Sequence, residues 1–167
     1  MSNESIPRNR NTAEFSFLGY PRRVVTRQRQ GQYLSDGKLE LGNYAVTWER
    51  TFDERGRPLV WKFFEDSALS SISEYRYEGE ECIVTERDTQ GKAIETTKQK
   101  PFSVTIQGSQ QSAPLPDSWP IEGTGLVASF KNEFDFDSTG NWIKRTATTT
   151  VSSAKVVHIG EREITYW

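Results

Sequence analysis

Apolar and polar residues alternate with a period of two over much of the chain, most clearly from Tyr44 to Phe52. One side of this stretch carries Tyr44, Val46, Trp48 and Phe52, and the other side carries Thr47, Glu49 and Thr51. Successive side chains of a strand point to opposite faces of a sheet, so the stretch is typical of a strand with one buried face. Arg50 is the single break on the apolar side, and its aliphatic stem can lie along neighbouring rings.

The same alternation predicts strands before and after this one. They are Gly19–Gly31, Leu59–Phe63, Ile72–Tyr77, Cys82–Arg87, Ala93–Lys98 and Phe102–Ile106, then stretches at Phe130–Phe136, Trp142–Arg145 and Val156–Trp167, the last with a kink at Gly160. No segment holds an apolar period of 3.6 residues for three turns, so no long helix is expected.

Three copies of an Asp-x-x-Gly motif each stand at the start of a strand-like run: Asp53–Gly56, Asp88–Gly91 and Asp137–Gly140. An Asp side chain at the first turn position caps the turn. Gly at the fourth position takes the positive φ that closes a type I turn with a bulge. The repetition predicts an all-β fold in which antiparallel hairpins stack into a curved, repeat-like sheet.

The length of 167 residues favours one domain. Residues 1–13 are polar and are expected to form a disordered tail, which leaves residues 14–167 as the β domain. Its regular pattern is interrupted at about residues 108–122, where Gly108–Pro120 contains three prolines and no period, so an inserted loop is predicted there.

Only 34% of the residues are hydrophobic, yet 12% of the chain is aromatic. A few large apolar side chains suit a twisted sheet with one buried face. We expect much of the core to come from Phe52, Trp48, Trp61, Tyr75, Phe134, Phe136 and Trp142.

The charge balance of 21 basic and 23 acidic residues gives no basic excess that would point to nucleic acid. No apolar run approaches the ~20 residues needed to span a bilayer. The amino terminus lacks the apolar core of an export signal, and a single Cys fits a reducing compartment, so a cytoplasmic location is expected.

The sequence offers little for catalysis. His158 is the only histidine and stands in a strand-like run, so a Ser-His or Cys-His mechanism would have to use it. The only thiol, Cys82, follows two glutamates, whose negative charges disfavour a reactive thiolate. No Gly-x-Ser-x-Gly motif is present. We therefore predict no enzymatic activity, no cofactor and no zinc site.

Glu133, Asp135 and Asp137 alternate with Phe134 and Phe136 and share one face of a strand. Three carboxylates at this spacing are able to bind calcium or to act as an acid and base pair. A solvated strand face, with Asp137 used in its turn, is the simpler explanation. The sequence leaves this choice open.

Two groups of residues are candidates for partner contact. Arg23, Arg27 and Arg29 alternate along the first strand, either as a patch for phosphate or an acidic partner or as charges that protect a sheet edge. Trp119 and Asp117 lie in the Pro-rich interruption, where Trp119 is either a contact anchor or a ring folded back onto the sheet.

The motif Phe52-Asp-x-x-Gly-Arg57, with its copies at Arg87–Lys92 and Phe136–Asn141, resembles the YD-repeat (Rhs-type) proteins of bacteria. The ending Gly160–Trp167 is similar to that of short members of this group. The resemblance covers roughly residues 44–98 and 127–167, with Arg87 in place of the aromatic residue in the second copy. The resemblance implies a fold of hairpin repeats and no set of catalytic residues. The large members of the group form an enclosing shell, for which this chain has too few repeats.

From the surface and the resemblance we expect a non-enzymatic protein-binding domain, and one specific form of this expectation is a bacterial immunity protein that neutralises a toxin. The alternative is a structural or envelope-associated module whose Trp and Tyr rings bind glycans. The identity of the partner, the oligomeric state and the functional face of the sheet stay open.

Overall fold

The computed structural model describes residues 17–102, 118–121 and 126–167. These residues form eleven strands and no helix, which confirms the all-β prediction: β1 Pro21–Tyr33, β2 Leu39–Leu41, β3 Ala45–Phe52, β4 Pro58–Glu65, β5 Ala68–Glu78, β6 Glu81–Arg87, β7 Ala93–Gln99, β8 Ser118–Ile121, β9 Leu126–Phe136, β10 Trp142–Val151 and β11 Ala154–Tyr166. None of these residues belongs to a helix that would cross a membrane. The predicted tail at residues 1–13 lies outside the described part of the chain.

The strands described here form one open antiparallel sheet in the order β7-β6-β5-β4-β3-β1-β11-β10-β9-β8, with β2 pairing to β1 beside this path. Strands β3 to β7 make one meander and β8 to β11 make another. The joint between the two meanders is β1, which pairs with β3 on one side and with β11 on the other. The first strand is therefore central.

The three Asp-x-x-Gly turns are confirmed in detail. The backbone N–H of Asp53 donates to the carbonyl of Arg57 at 2.9 Å, and the N–H of Gly56 donates back to the Asp53 carbonyl at 2.9 Å. The Oδ1 atom of Asp53 accepts the N–H groups of Arg55 and Arg57, and Gly56 has a φ of +72°. The same bonds and a positive φ recur at Asp88 with Gly91 and at Asp137 with Gly140.

Strand register divides the side chains between two faces. Arg50 lies opposite Trp61 and Trp48 lies opposite Phe63, and we call their side of the sheet the aromatic face. The other side carries Arg23, Glu49 and Lys62, and we call it the charged face.

The core is centred on the aromatic face. Phe17, Val24 and Phe52 are fully buried together, with Trp61 and Ile164 packed against them. The Phe17 and Phe52 rings meet edge to face with centroids 5.8 Å apart. Aromatic rings contribute large apolar areas to such a cluster, so Phe17 covers the middle of the sheet.

The predicted core is confirmed in most positions. Phe52 and Trp142 are buried, and Trp48, Trp61, Tyr75 and Phe134 are partly buried. Phe136 was wrongly assigned to the core, because its side chain is 52% exposed. Arg50 contacts neighbouring rings with its guanidinium group, whose carbon is 4.8 Å from the centroid of Trp48 and 5.1 Å from that of Trp61.

At two places the structure differs from the local predictions. Within the loop predicted at about residues 108–122, Ser118–Ile121 is a strand that pairs with β9 from Ser129 to Leu126, and the other residues of this range lie outside the described part of the chain. Pro120 is compatible with this strand because β8 ends the sheet, where a missing N–H is tolerated. The predicted kink at Gly160 is absent, since Gly160 pairs with Gln28 and Arg145 without a register break. Phe102 is not in a strand, and the rest of the predicted Phe102–Ile106 strand lies outside the described residues.

Candidate functional site

A groove of about 410 Å³ crosses β1, β11, β10 and β9 on the aromatic face. Its floor is formed by cross-strand rows of side chains. In one row Gln28, Gly160 and Arg145 lie side by side, and in the next His158, Ala147 and Asn132 do so. Neighbouring strands lie about 4.8 Å apart, so each row places its side chains within contact distance of one another.

Small residues give the groove its depth. Gly160 and Ala147 occupy the middle of the two rows, where larger side chains would fill the space. A Cβ atom on Gly160 would lie 3.8 Å from the ring of Trp142, which is an ordinary contact. Because Gly160 also has regular strand pairing, the depression here arises from the absent side chain and not from a distorted backbone.

Amide, imidazole and guanidinium groups surround this depression. Gln28 and His158 are exposed, and the Nε atom of Arg145 donates to Oδ1 of Asn132 at 3.1 Å. The Asn132 amide oxygen is thus used within the protein, and its NH₂ group supplies two donors. The groove can therefore hydrogen-bond a ligand through several side chains.

The groove carries positive charge. Lys131 and Arg145 are the full charges among its described lining residues, which include no carboxylate. Lys131 pairs with Thr148 next to the Asn132–Ala147 row, so its side chain lies on the charged face, where it contacts Glu133 at 2.9 Å. Arg145 therefore supplies the positive charge of the described groove floor. Such a surface attracts acidic ligands in preference to basic ones.

Trp142 closes one side of the groove and is only 4% exposed. The guanidinium carbon of Arg162 lies 3.5 Å from the centroid of the Trp142 ring, and Arg162 also lies 5.2 Å from the ring of Phe17. A cation over a ring is favourable by about 1–2 kcal/mol when desolvated. The Trp142 ring face is thus occupied within the protein.

No described arrangement in the groove resembles a catalytic pair. His158 lies on β11, and Cys82 lies on β6, with β5, β4, β3 and β1 between them. Five strand spacings separate these residues by roughly 24 Å along the sheet, so Cys82 and His158 do not form a Cys-His pair. Cys82 is fully buried, as expected of a small apolar side chain.

The arginines predicted for partner contact lie on the charged face in intramolecular pairs. Arg23 contacts Glu49 at 2.9 Å and Glu163 at 3.9 Å, and Arg27 contacts Glu163 at 3.5 Å. Burial alone would raise the pKa of Glu49, but the Arg23 hydrogen bond and the charges of Lys62 and Arg23 outweigh it, so this pKa is lowered. Much of the charge of these arginines is thus balanced within the sheet.

Arg29 is stacked on a ring instead of exposed as a free patch. Its guanidinium carbon lies 4.2 Å from the centroid of Tyr44, whose hydroxyl donates to Glu161. The interpretation of these arginines as protectors of a sheet edge is wrong, because β1 pairs on both sides. Their use in partner contact stays a prediction.

The three carboxylates considered for calcium do not converge. Both oxygens of Asp137 are engaged, since Oδ1 accepts the turn N–H groups and Oδ2 accepts the Tyr166 hydroxyl at 2.5 Å. Glu133 is paired with Lys131, and no cluster of three metal-binding side chains occurs in the residues the structure describes. The Asp137 carboxylate therefore stabilises its own turn.

Trp119 lies in β8, paired with Ala128, and not in an irregular loop. Asp117 lies outside the described residues. The partner contact predicted for Trp119 and Asp117 stays a prediction. Neither β8 nor the arginines Arg23, Arg27 and Arg29 form part of the described groove floor.

Sequence reasoning did not single out the groove residues Gln28, Asn132 and Arg145. One signal was available. Gln28, Gln30 and Gln32 alternate with the arginines of the same strand, so the strand carries an amide row on the face opposite the arginine row. The partners on β9 and β10 depend on the strand order, which the alternation does not reveal.

The chain matches no protein-family model, no curated protein and no solved structure. Its relation to YD-repeat proteins therefore stays a prediction from the motif residues.

Proposed function

We propose that the protein is a non-enzymatic protein-binding domain and that an extended segment of its partner lies in the groove. The observation that carries this proposal is the groove floor itself, where Gln28, His158, Asn132 and Arg145 surround a depression left by two small residues. Amide side chains donate and accept, so they can pair with the N–H and C=O groups of a peptide.

The charge of the groove favours a partner segment that contains Asp or Glu. Arg145 binds a carboxylate well because guanidinium groups donate two parallel hydrogen bonds, and its Nε bond to Asn132 fixes its orientation. Opposite charges also increase the rate of association. A basic segment would meet Arg145 without a compensating carboxylate in the described lining.

A protein partner fits this site better than a glycan does. Sugar binding commonly uses an accessible aromatic ring, and Trp142 is 4% exposed beneath Arg162. Phe130 is the other ring of the lining and is partly buried. The polar groups are plentiful, but the stacking surface required by the glycan hypothesis is small.

An immunity protein that neutralises a bacterial toxin is the narrower form of this proposal. The support for it is the Phe-Asp-x-x-Gly motif and its resemblance to Rhs-type proteins. A groove that favours acidic segments adds no support for a toxin over another protein, so the toxin requires its own test.

Affinity capture from the source cell with two matched variants tests the proposal. Gln28→Glu/His158→Glu introduces two carboxylates at exposed groove positions, and Thr150→Glu/Thr165→Glu introduces two on the opposite face of the same sheet. We expect a specific protein to be retained by the parent chain and the control variant and to be lost from the groove variant.

Retention of the same protein by all variants would contradict the groove as the binding site, and no specific protein in any capture would contradict a protein-binding function. Co-expression of the chain with the captured protein in a bacterial host tests the immunity form. We expect the captured protein to inhibit growth alone and not in the presence of the chain. If the captured protein does not inhibit growth, it is not a toxin, and the protein-binding function is retained without the immunity form.

A further inference from the structure

The two edges of the sheet differ in how they are protected. Edge strand β8 has four residues and contains Pro120, which lacks an N–H group for a neighbouring strand. Edge strand β7 has seven residues, Ala93–Gln99, and contains no proline. All seven are exposed, and Ile94 is 68% exposed. The edge at β7 thus has backbone groups accessible to another strand.

The backbone of β7 is also regular enough to act as a template. Its pairing with β6 runs without interruption from Glu95 opposite Glu86 to Gln99 opposite Cys82, and the single register shift lies beside the turn. Ile94, Thr96 and Thr97 are β-branched residues, which favour extended structure. An added strand could therefore pair along five successive positions without meeting a bulge.

A charge mismatch at this edge indicates which strand fits. Glu95 lies directly opposite Glu86, and like charges in this position destabilise a strand pair. Glu86 accepts the hydroxyl of Ser73 at 2.9 Å. Lys98 is paired with Glu81 at 2.8 Å, whereas Glu95 forms no ion pair with a described residue. A cation on a strand added beyond β7 would therefore lie next to Glu95, whose charge no described ion pair balances.

We propose that β7 accepts an extended segment of a protein partner as an additional strand, with a Lys or Arg of that segment next to Glu95. Main-chain hydrogen bonds to β7 supply affinity in this mode of recognition, and the side chains that alternate along the strand supply selectivity. Glu95 and Lys98 discourage apolar strands, so the edge selects by charge. This surface is separate from the groove and does not depend on the proposed groove function.

Two synthetic peptides provide the probe, one alternating Thr and Lys and the other alternating Thr and Glu. Titration into the full chain, followed by amide NMR shifts, reports both affinity and location. We expect the Thr-Lys peptide to bind more tightly and to shift the amides of β7 and not those of β10 and β11.

Glu95→Lys tests the charge assignment at an exposed position that leaves the fold intact. We expect Thr-Lys affinity to fall about fivefold, because an attractive cross-strand pair becomes repulsive, and Thr-Glu affinity to rise. The matched control Glu54→Lys changes the same charge in the exposed first turn and should alter neither affinity. Equal binding of the two peptides, no binding of either at millimolar concentration, or shifts outside β7 would overturn the proposal.

Discussion

Asn141 holds the backbone of Leu18 from both sides. Its Oδ1 atom accepts the N–H of Leu18 at 2.8 Å, and its Nδ2 atom donates to the Leu18 carbonyl at 2.8 Å. Asn141 is fully buried, and Nδ2 also donates to the hydroxyl of Tyr166 at 2.7 Å. Leu18 directly follows Phe17, which covers the core. The two hydrogen bonds to Leu18 therefore hold Phe17 beside the turn that begins at Asp137.

Asn141→Ala should therefore lower the free energy of unfolding by about 3 kcal/mol, because it leaves a backbone donor and a backbone acceptor without their partner. Chemical denaturation measures the change. Lys92 occupies the same position in the second turn and is exposed, so Lys92→Ala is the matched control and should change stability by less than about 0.5 kcal/mol. Equal effects of the two substitutions would contradict the role of Asn141.

Gly140→Ala and Gly91→Ala separate backbone strain from packing. Both glycines have positive φ, at +92° and +81°, so an added Cβ should cost about 1 kcal/mol at either position. At Gly140 the Cβ would also lie 3.0 Å from Cδ1 of Leu18, whereas at Gly91 it would meet nothing within 4 Å.

We expect Gly140→Ala to reduce stability by roughly 1 kcal/mol more than Gly91→Ala, since overpacking adds to strain. Thermal or chemical unfolding of the two variants checks the difference. A larger loss for Gly91→Ala would show that Leu18 does not pack against the third turn.

The alkaline limit of stability should depend on Tyr75. Burial of the phenol, with the charge of Glu86 adding to it, raises the Tyr75 pKa from 10.0 to about 12. Because this pKa is higher in the folded protein than in the unfolded chain, folding favours the neutral phenol. The resulting stabilisation of the folded state is complete below pH 10 and is lost as the pH rises towards 12.

Tyr75→Phe should flatten part of this decline, and denaturation at a series of alkaline pH values measures it. Tyr77 also has a raised pKa because it is buried, so some decline should persist in the variant. Parallel pH profiles for the parent chain and Tyr75→Phe would contradict a Tyr75 contribution.

The hairpin turns were predictable because their chemistry is local: each Asp caps N–H groups within four residues. The burial of individual side chains was not predictable from the sequence, and Phe52 and Phe136 show why. Both precede the Asp of a turn, but Phe52 is 1% exposed and Phe136 is 52% exposed. Phe17 packs on Phe52, and a contact across 35 residues leaves no mark in a short motif.

The groove was not predictable for a similar reason, because it depends on the order of the strands in the sheet. Alternation identifies Gln28 and His158 as strand residues, but their shared floor requires β1 to pair with β11. The arginine row of β1 drew attention to the opposite face, where Glu49 and Glu163 balance much of its charge. Charged residues are conspicuous in a sequence, whereas amides and small residues that form a groove are not.

The most direct test of the account is the affinity of the captured partner for three chains, measured by isothermal titration calorimetry. Gln28→Glu/His158→Glu should weaken binding at least about tenfold, because carboxylates then repel an acidic segment in the groove. Thr150→Glu/Thr165→Glu, with the same added charge on the opposite face, should bind as the parent chain does. Unchanged affinity of the groove variant, or an equal loss in the control, would contradict the groove as the partner site.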